Sequence, residues 1–339
     1  GPLPSRFQHS MGVCYLAGEV LRNNRNKLGG FDMLLPISAL LHDAGNPPFS
    51  HLGEPFLKEV TGHDGESFLS EILDGSETEK ILKEYGIHTG TVVKVVTGNW
   101  KPFSDVLSGS LDIDNLDNIA RHAKAINIRV DFKAEEIVKL FSFNSEWLIS
   151  GSFLESHLQV LRWKEARKKV YGSIYSAPHH IMATMLYRAL EFAYSEGELE
   201  KDFFFMDDYG AILYLKTCNA RTQKLIHRLL RWQTYEIVVN FETQKPSDKV
   251  KSFSQDWRRK KEIADFIAKK LGLGPEDVCM VISKGKEKRK ISLPFLDSFG
   301  TMRFDEEPES QIYRLRVYIA PSSRSLENAA YDLLMQEVN

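Results

Sequence analysis

Cysteine is scarce in this chain of 339 residues: Cys14, Cys218 and Cys279 stand far apart, with no CxxC spacing. A disulfide framework and a thiolate zinc site are both excluded on that basis. No apolar run approaches the roughly 18–20 residues of a membrane span, so no membrane partner is expected. No secretory leader is visible, and a reducing cytoplasm is the expected compartment. Net charge is nearly absent as well, with Lys plus Arg at 44 and Asp plus Glu at 46. That balance excludes a generally polycationic binder while leaving room for local basic patches. Internal repeats and low-complexity tracts are missing too, which excludes a solenoid.

What is present is ordinary for a globular protein, with 42% hydrophobic and 27% charged residues. At about 150 residues per domain, the length predicts two domains. Helical periodicity predicts a helix over 6–21 and an apolar helical run over 33–41 that ends in His42-Asp43. After the Gly/Pro loop 44–48, a short helix carries His51 and Glu54. Further helices are predicted over 66–73, 77–85, 111–126 and 158–193, the last broken near Ala177-Pro178. Beyond Pro246 the character changes. Residues 256–271 form one amphipathic helix stopped by Gly272, whereas 277–283 and 311–320 are rich in Val, Ile and Tyr and partly alternate, as strands do. The predicted class is mainly α: a helical domain over 1–245 and a smaller α+β segment over 246–339. Cys218, Met185 and Phe203-Phe204-Phe205 read as core. Gly1-Pro2 reads as a cleavage scar, and native residues are expected upstream, because a functional His9 so near a free end would fray.

Four residues stand at the polar edges of apolar helical segments: His9, His42, Asp43 and Asp114. An apolar helix ending in His42-Asp43 delivers an imidazole and a carboxylate to one point, and Gly45 lets the chain turn away behind them. Two imidazoles and two carboxylates suit a divalent ion such as Mn²⁺, Mg²⁺, Fe²⁺ or Co²⁺. A lone His-Asp pair is ordinarily a capped helix end. The matching contexts of His9 and Asp114 turn the reading toward metal.

The stretches SRFQHS (5–10), HDAGNPPFSHLGE (42–54) and LDID (111–114) together resemble the HD-domain phosphohydrolases. Within that superfamily they look like the deoxynucleoside triphosphate triphosphohydrolases, which include bacterial dGTPase and the vertebrate dNTPase with a sterile-alpha-motif domain. The resemblance covers about residues 5–190. It implies a helical HD-domain core, a homo-oligomer, and cleavage of a dNTP to 2′-deoxynucleoside and tripolyphosphate by water attack at the α-phosphate. Asn46 agrees with the bacterial dGTPases where the vertebrate branch has a histidine, which favours the bacterial branch or at least different surroundings for the ligands; dGTP is a candidate preferred base.

The same resemblance implies roles for further residues. His51 is the acid/base group and Glu54, three residues on and on the same helical face, is its partner. His63 is a further candidate catalytic histidine, with an ordinary loop histidine as the alternative. A triphosphate carries about four negative charges and calls for forked cations. Arg6 shares a helical face with His9. Arg167, Tyr171 and Tyr175 step by four residues along one stripe, resembling the family segment that supplies a phosphate-binding Arg and an aromatic residue against sugar or base. Asp117 and Asn118 follow the last ligand by a turn and are placed to line the pocket. Asn115 stands where the family often has Lys, and Asn118 and His122 stand where Tyr or Asp elsewhere read the deoxyribose.

Two basic runs remain, Arg258–Lys261 on a helix and Lys284–Lys290 at an expected hairpin tip. They are candidates for an allosteric nucleotide or for single-stranded DNA, with a solvated helix face and a soluble turn as the ordinary alternative. Two rival functions share the motif set: an HD-type phosphohydrolase or phosphodiesterase acting on monophosphates or cyclic nucleotides, and a nucleotide- or nucleic-acid-sensing module with a degenerate site.

Overall fold

The computed structural model describes residues 5–28, 33–151, 153–296, 302–303, 311–321 and 326–338, so the scar read at Gly1-Pro2 lies outside the described residues. Helices dominate, with two small sheets among the described residues, in keeping with the mainly helical class. The chain forms two compact units that interleave along the sequence. One comprises Gly1–Asn46, Asp64–Tyr171 and Glu287–Glu309; the other comprises Pro47–His63, Gly172–Lys286 and Ser310–Asn339. The single division expected near residue 245 is therefore not the one the chain makes.

In the first unit the opening helix spans Arg6–Asn24 and starts with a capping box. Ser5 Oγ accepts from the Gln8 amide at 3.2 Å, while Gln8 Oε1 accepts from the Ser5 amide at 3.3 Å. Val13, Leu16, Ala17 and Val20 bury one face of this helix. The helix Leu34–Leu41 packs beside it, and the helix Ile113–Ala125 contributes buried Ile113, Leu116, Ile119 and Ala123. Asp112 caps the latter helix by accepting from the Asn115 amide at 2.6 Å. A four-stranded sheet runs in the order β1 (Phe141–Asn144), β2 (Glu146–Ile149), β5 (Phe295–Leu296), β6 (Met302–Arg303). The β1–β2 hairpin is tied to the opening helix by Asn24. Its side-chain amide donates to the Phe141 carbonyl at 2.9 Å and its Oδ1 accepts from the Phe143 amide at 2.9 Å.

The second unit holds a three-stranded antiparallel sheet in the order β3 (Glu236–Thr243), β7 (Tyr313–Ile319), β4 (Val278–Lys284). Strand β3 lies before residue 245 and pairs with β7 well beyond it, which is why no boundary falls there. The helices Asp248–Gln255, Trp257–Leu271 and Glu327–Val338 close over the sheet around buried Ile263, Ile267, Ile282, Val317 and Leu334. The Lys284–Lys290 stretch is not a hairpin tip. Strands β4 and β7 pair from Lys284↔Tyr313, yet the intervening chain departs to form β5 and β6 in the other unit. Met185, Cys218, Phe203 and Phe204 are buried, but Phe205 at the end of its 3₁₀ turn is 48% exposed.

Replacing Asn24 by Ala would strand the Phe141 carbonyl and the Phe143 amide, so urea unfolding should show a loss of about 2–4 kcal/mol at an unchanged m-value.

Candidate metal centre

The site begins with two helices delivering imidazoles. His9 sits in the first turn and a half of the Arg6–Asn24 helix, and His42 is the residue that closes the Leu34–Leu41 helix. Their rings approach to 5.1 Å between centroids at an interplanar angle of 73°. Asp114, in the first turn of Ile113–Ala125, comes from a third helix. His9, His42 and Asp114 bring one ligand atom each to within 4.8 Å of one another. Asp43 joins them: its oxygens lie 3.4 Å from His42 Nε2 and 3.8 Å from His9 Nε2. His9 Nε2 is 3.0 Å from Asp114 Oδ1, and His42 Nε2 is 3.8 Å from the same oxygen. Ligands at about 2.1 Å from an ion stand roughly 3–4 Å apart, so His9, His42 and Asp114 are close enough to hold one.

The fit of a cation rests on the hydrogen bonding of His42. Its Nδ1 donates to the Ala39 carbonyl at 2.8 Å, which leaves the lone pair on Nε2. That Nε2 is buried, faces carboxylate oxygens, and makes no hydrogen bond. A lone pair aimed at carboxylates calls for a positive charge between them, which either a proton on Nε2 or a bound metal ion supplies. His9 is in the same position on both sides, because Nε2 meets Asp114 and Nδ1 meets Asp117 Oδ2 at 2.7 Å. Burial alone would lower the His9 imidazole, but the hydrogen bonds it donates to Asp114 and Asp117 and the nearby Asp114 and Asp43 charges outweigh it and hold the group up at about 10. Burial likewise works against a proton on His42, and Asp114 and Asp43 reverse it, raising that ring too. Burial would raise the Asp114 carboxyl, yet the facing His42 and His9 rings hold it well below the usual carboxylate range.

Glycine makes the loop behind these ligands possible. A Cβ on Gly45 would stand 2.3 Å from the Gly65 carbonyl and 2.5 Å from the Leu69 amide, where the loop presses on the Gly65–Leu73 helix. Asn46 then donates to Asp43 Oδ1 at 2.8 Å, and Arg6 donates to the Asn46 carbonyl at 3.2 Å.

Asp117, expected to line the substrate pocket, instead directs Oδ2 at His9 and at Arg121 Nε, 2.5 Å away. Arg167 and Tyr171 do come together. The Arg167 guanidinium lies 4.5 Å over the Tyr171 ring, and its Nη1 donates to Asn115 Oδ1 at 2.6 Å. Asn115 Nδ2 donates in turn to the Tyr171 hydroxyl at 3.3 Å, so the residue that replaces a family Lys organises the other two. Arg167 Nε is buried with no hydrogen-bond partner. Tyr175 falls just past the helix Phe153–Ile174 and belongs to the other unit, where its carbonyl accepts from Arg316 Nη1 at 2.6 Å and its ring meets His180. The three-residue stripe is therefore broken at its last member.

In the second unit His51 and Glu54 do not share one helix. His51 lies in the 3₁₀ turn Ser50–Leu52, and Glu54 opens the helix Glu54–Thr61. They pair all the same, with His51 Nδ1 at 3.1 Å from Glu54 Oε2. Phe49 and Ser50, immediately before His51, both adopt left-handed backbone at φ 64° and 51°, a strained conformation for residues with side chains. His63 lies between helices, half-buried, with its amide donating to Thr61 Oγ1 at 3.2 Å.

Sequence reasoning missed Asp112, Arg121 and Arg289. Arg289 Nη2 reaches the Gly109 carbonyl and donates to Asp112 Oδ2 at 2.9 Å, so the cap of the Asp114 helix is itself ion-paired. Burial pushes the Asp112 carboxyl up to about 7 against the pull of Arg289. The capping position of Asp112 and the i,i+4 spacing of Asp117 and Arg121 are signals present in the sequence; Arg289 has none. The other basic run is engaged internally. Arg258 forks onto Glu59 at 2.5 and 2.6 Å, Arg259 meets Glu262 and Glu337, and Lys261 meets Asp265.

Residues 6–126 match the HD domain family and residues 165–315 match the HD associated region. Among curated relatives, the uncharacterized protein MJ1154 of Methanocaldococcus jannaschii is 26% identical over 244 residues, 70% of this chain and 49% of that protein. The deoxynucleoside triphosphate triphosphohydrolase SAMHD1 of Bos taurus is 30% identical over 101 residues, 26% of this chain and 17% of that protein. That of Mus musculus is 22% identical, covering 53% and 33%. This chain thus spans about half the length of the first relative and a third or less of the others. Two crystal structures share the fold. A hypothetical protein from Aquifex aeolicus has a TM-score of 0.71 at 18% identity, covering 97% of this chain and 86% of its own. A phosphohydrolase from Bacteroides thetaiotaomicron has a TM-score of 0.68 at 17% identity, covering 93% and 87%.

A cation entering this site must displace the His9 proton, so Mn²⁺ affinity is expected to rise between about pH 6 and 9, roughly tenfold per unit for each proton displaced. Calorimetry in buffers of different ionisation heat reads both affinity and proton release, and a flat profile would contradict the ligand role of His9. In the metal-free protein the sign is opposite. The raised group contributes its full stability below about pH 6.5, and the contribution is lost as pH rises through about 10.

Proposed function

The chain belongs to the HD-domain phosphohydrolase superfamily, and on that premise we propose that it is a metal-dependent triphosphohydrolase of deoxynucleoside triphosphates. The observation that carries the proposal is the buried, unbonded Nε2 of His42, which with His9 faces Asp43 and Asp114, where His9, His42 and Asp114 are close enough to hold an ion. Relatives named as deoxynucleoside triphosphate triphosphohydrolases support the choice of substrate.

His9, His42, Asp43 and Asp114 would hold a divalent ion, which would supply charge neutralisation at the α-phosphate and a more acidic water. In the reaction, water oxygen bonds to the α-phosphorus, the bond from phosphorus to the 5′-oxygen breaks, and a proton passes to that oxygen. The products are a 2′-deoxynucleoside and tripolyphosphate. Arg167 offers its unpartnered Nε to a phosphate oxygen. Tyr171 and Asn115 hold its guanidinium in one plane, so little side-chain freedom remains to be lost on binding. Arg6, anchored on the Asn46 carbonyl one turn before His9, adds a second cation for the phosphates. His51, oriented through Nδ1 by Glu54, forms with it an imidazole–carboxylate pair able to move a proton.

Incubation with each dNTP singly and with all four mixed, in Mn²⁺ or Mg²⁺, tests the proposal by product. Deoxynucleoside plus tripolyphosphate is expected from the native protein and neither product from the His42→Ala/Asp43→Ala double variant. Arg167→Lys, which replaces a fork by a point charge, should lower kcat/KM about ten- to a hundredfold. Free phosphate or a monophosphate as the product would overturn the triphosphohydrolase reading in favour of another phosphohydrolase of the superfamily. Turnover only in the mixture would assign an activating nucleotide.

A further inference from the structure

We propose that Asp117, backed by Arg121 through a gap that Gly12 leaves open, is the positioning residue that fixes His9 for metal binding; the inference rests on the metal centre described above. The two histidines are held in different ways. His42 is oriented locally, with Nδ1 on the Ala39 carbonyl of its own helix. The His9 Nδ1 contact comes instead from another helix, as Asp117 Oδ2 at 2.7 Å. Asp117 is buried, and the same Oδ2 accepts from Arg121 Nε four residues on, at 2.5 Å. That oxygen is therefore committed to His9 and Arg121 and does not compete for the ion. A carboxylate behind the imidazole fixes its tautomer, aims Nε2 at Asp114, and makes the ring a stronger donor than a backbone carbonyl would.

The approach is close enough to require glycine on the facing helix. A Cβ at Gly12, three residues after His9, would lie 2.0 Å from Asp117 Oδ1, 2.2 Å from Arg121 Nη2 and 2.7 Å from Asp117 Cγ. Both obstructing groups are side-chain ends, so a methyl there would push the Asp117–Arg121 pair off His9 while leaving the helix intact. Gly12 thereby joins Asp117 and Arg121 in a device of three residues, none of which is assigned to touch the ion.

Mn²⁺ binding, read from the free-ion electron paramagnetic resonance signal, tests this without recourse to turnover. Asp117→Asn keeps size and shape and is expected to weaken Mn²⁺ binding about ten- to a hundredfold. Gly12→Ala leaves every polar group in the chain and should weaken binding in the same direction. Arg121→Lys, which keeps a cation beside Asp117, should stay within about threefold of wild type. In protein labelled with ¹⁵N-histidine, the downfield Nδ1 proton of His9 should be present in wild type and lost in Asp117→Asn, an outcome that loosened packing alone would not give. Mn²⁺ affinity within twofold of wild type in both Asp117→Asn and Gly12→Ala would overturn the proposal while the metal centre stood. Should Asp117→Asn fail to fold, Gly12→Ala decides by itself. Absence of Mn²⁺ binding in wild type would overturn the metal centre, and this inference with it.

Discussion

Carboxylates gathered against two imidazoles are the constraint around which the first unit is organised. Asp43 and Asp114 face His9 and His42, and Asp117 stands behind His9, so negative charge accumulates at a half-buried place. Protein interiors accept such charge only when it is paired or bound to a metal. Here the pairing is divided. Asp117 has Arg121, Asp112 has Arg289, and Asp43 and Asp114 are left to the imidazoles and to whatever cation joins them. The helix Ile113–Ala125 and its cap thus carry three carboxylates with three duties, of which one is reserved for the centre.

Much of this arrangement is legible in the sequence. His9, His42, Asp43 and Asp114 are short-range signals, each ending or opening an apolar helical segment, and the structure gathers all four. The opening helix, the break at Ala177-Pro178 and the Trp257–Leu271 helix with its Gly272 stop follow from periodicity and capping chemistry. Asp117 shows where such reading stops. The sequence places it one turn after Asp114, but whether its carboxylate turns to a pocket or to His9 depends on how near another helix comes. That nearness is set by Gly12, whose lack of a side chain carries no periodic signal. Arg289 is harder still. Within its run it is one basic residue among several, and its capture by Asp112 is a contact across 177 positions.

The helical core with an α+β C-terminal part is found, but the contacts do not divide the chain near residue 246, for a related reason. Composition does change near residue 246, yet composition reports what a segment buries and not which strand it pairs with. Strand β3 takes its place beside β7 through pairing of residues more than 70 apart, such as Glu242 with Arg314. The basic helix 257–271 stands out by its charges, and three of its cations, Arg258, Arg259 and Lys261, meet Glu59, Glu262, Glu337 or Asp265 in the folded chain. Charge runs show their sign in a sequence and their partners only in a fold.

Interleaving gives the protein a timetable. Asp114 leaves the ribosome long before Arg289, which completes the ion pair on the cap of the Asp114 helix. At roughly 5–20 residues per second, the interval between them is on the order of 10–35 s. Strand β5, which extends the sheet of the same unit, arrives later still. The first unit therefore cannot finish folding as a leading domain while the rest is being made. During synthesis its carboxylate-rich centre exists without its last arginine, and the mature arrangement is reached only once the segment from Glu287 onward has been made.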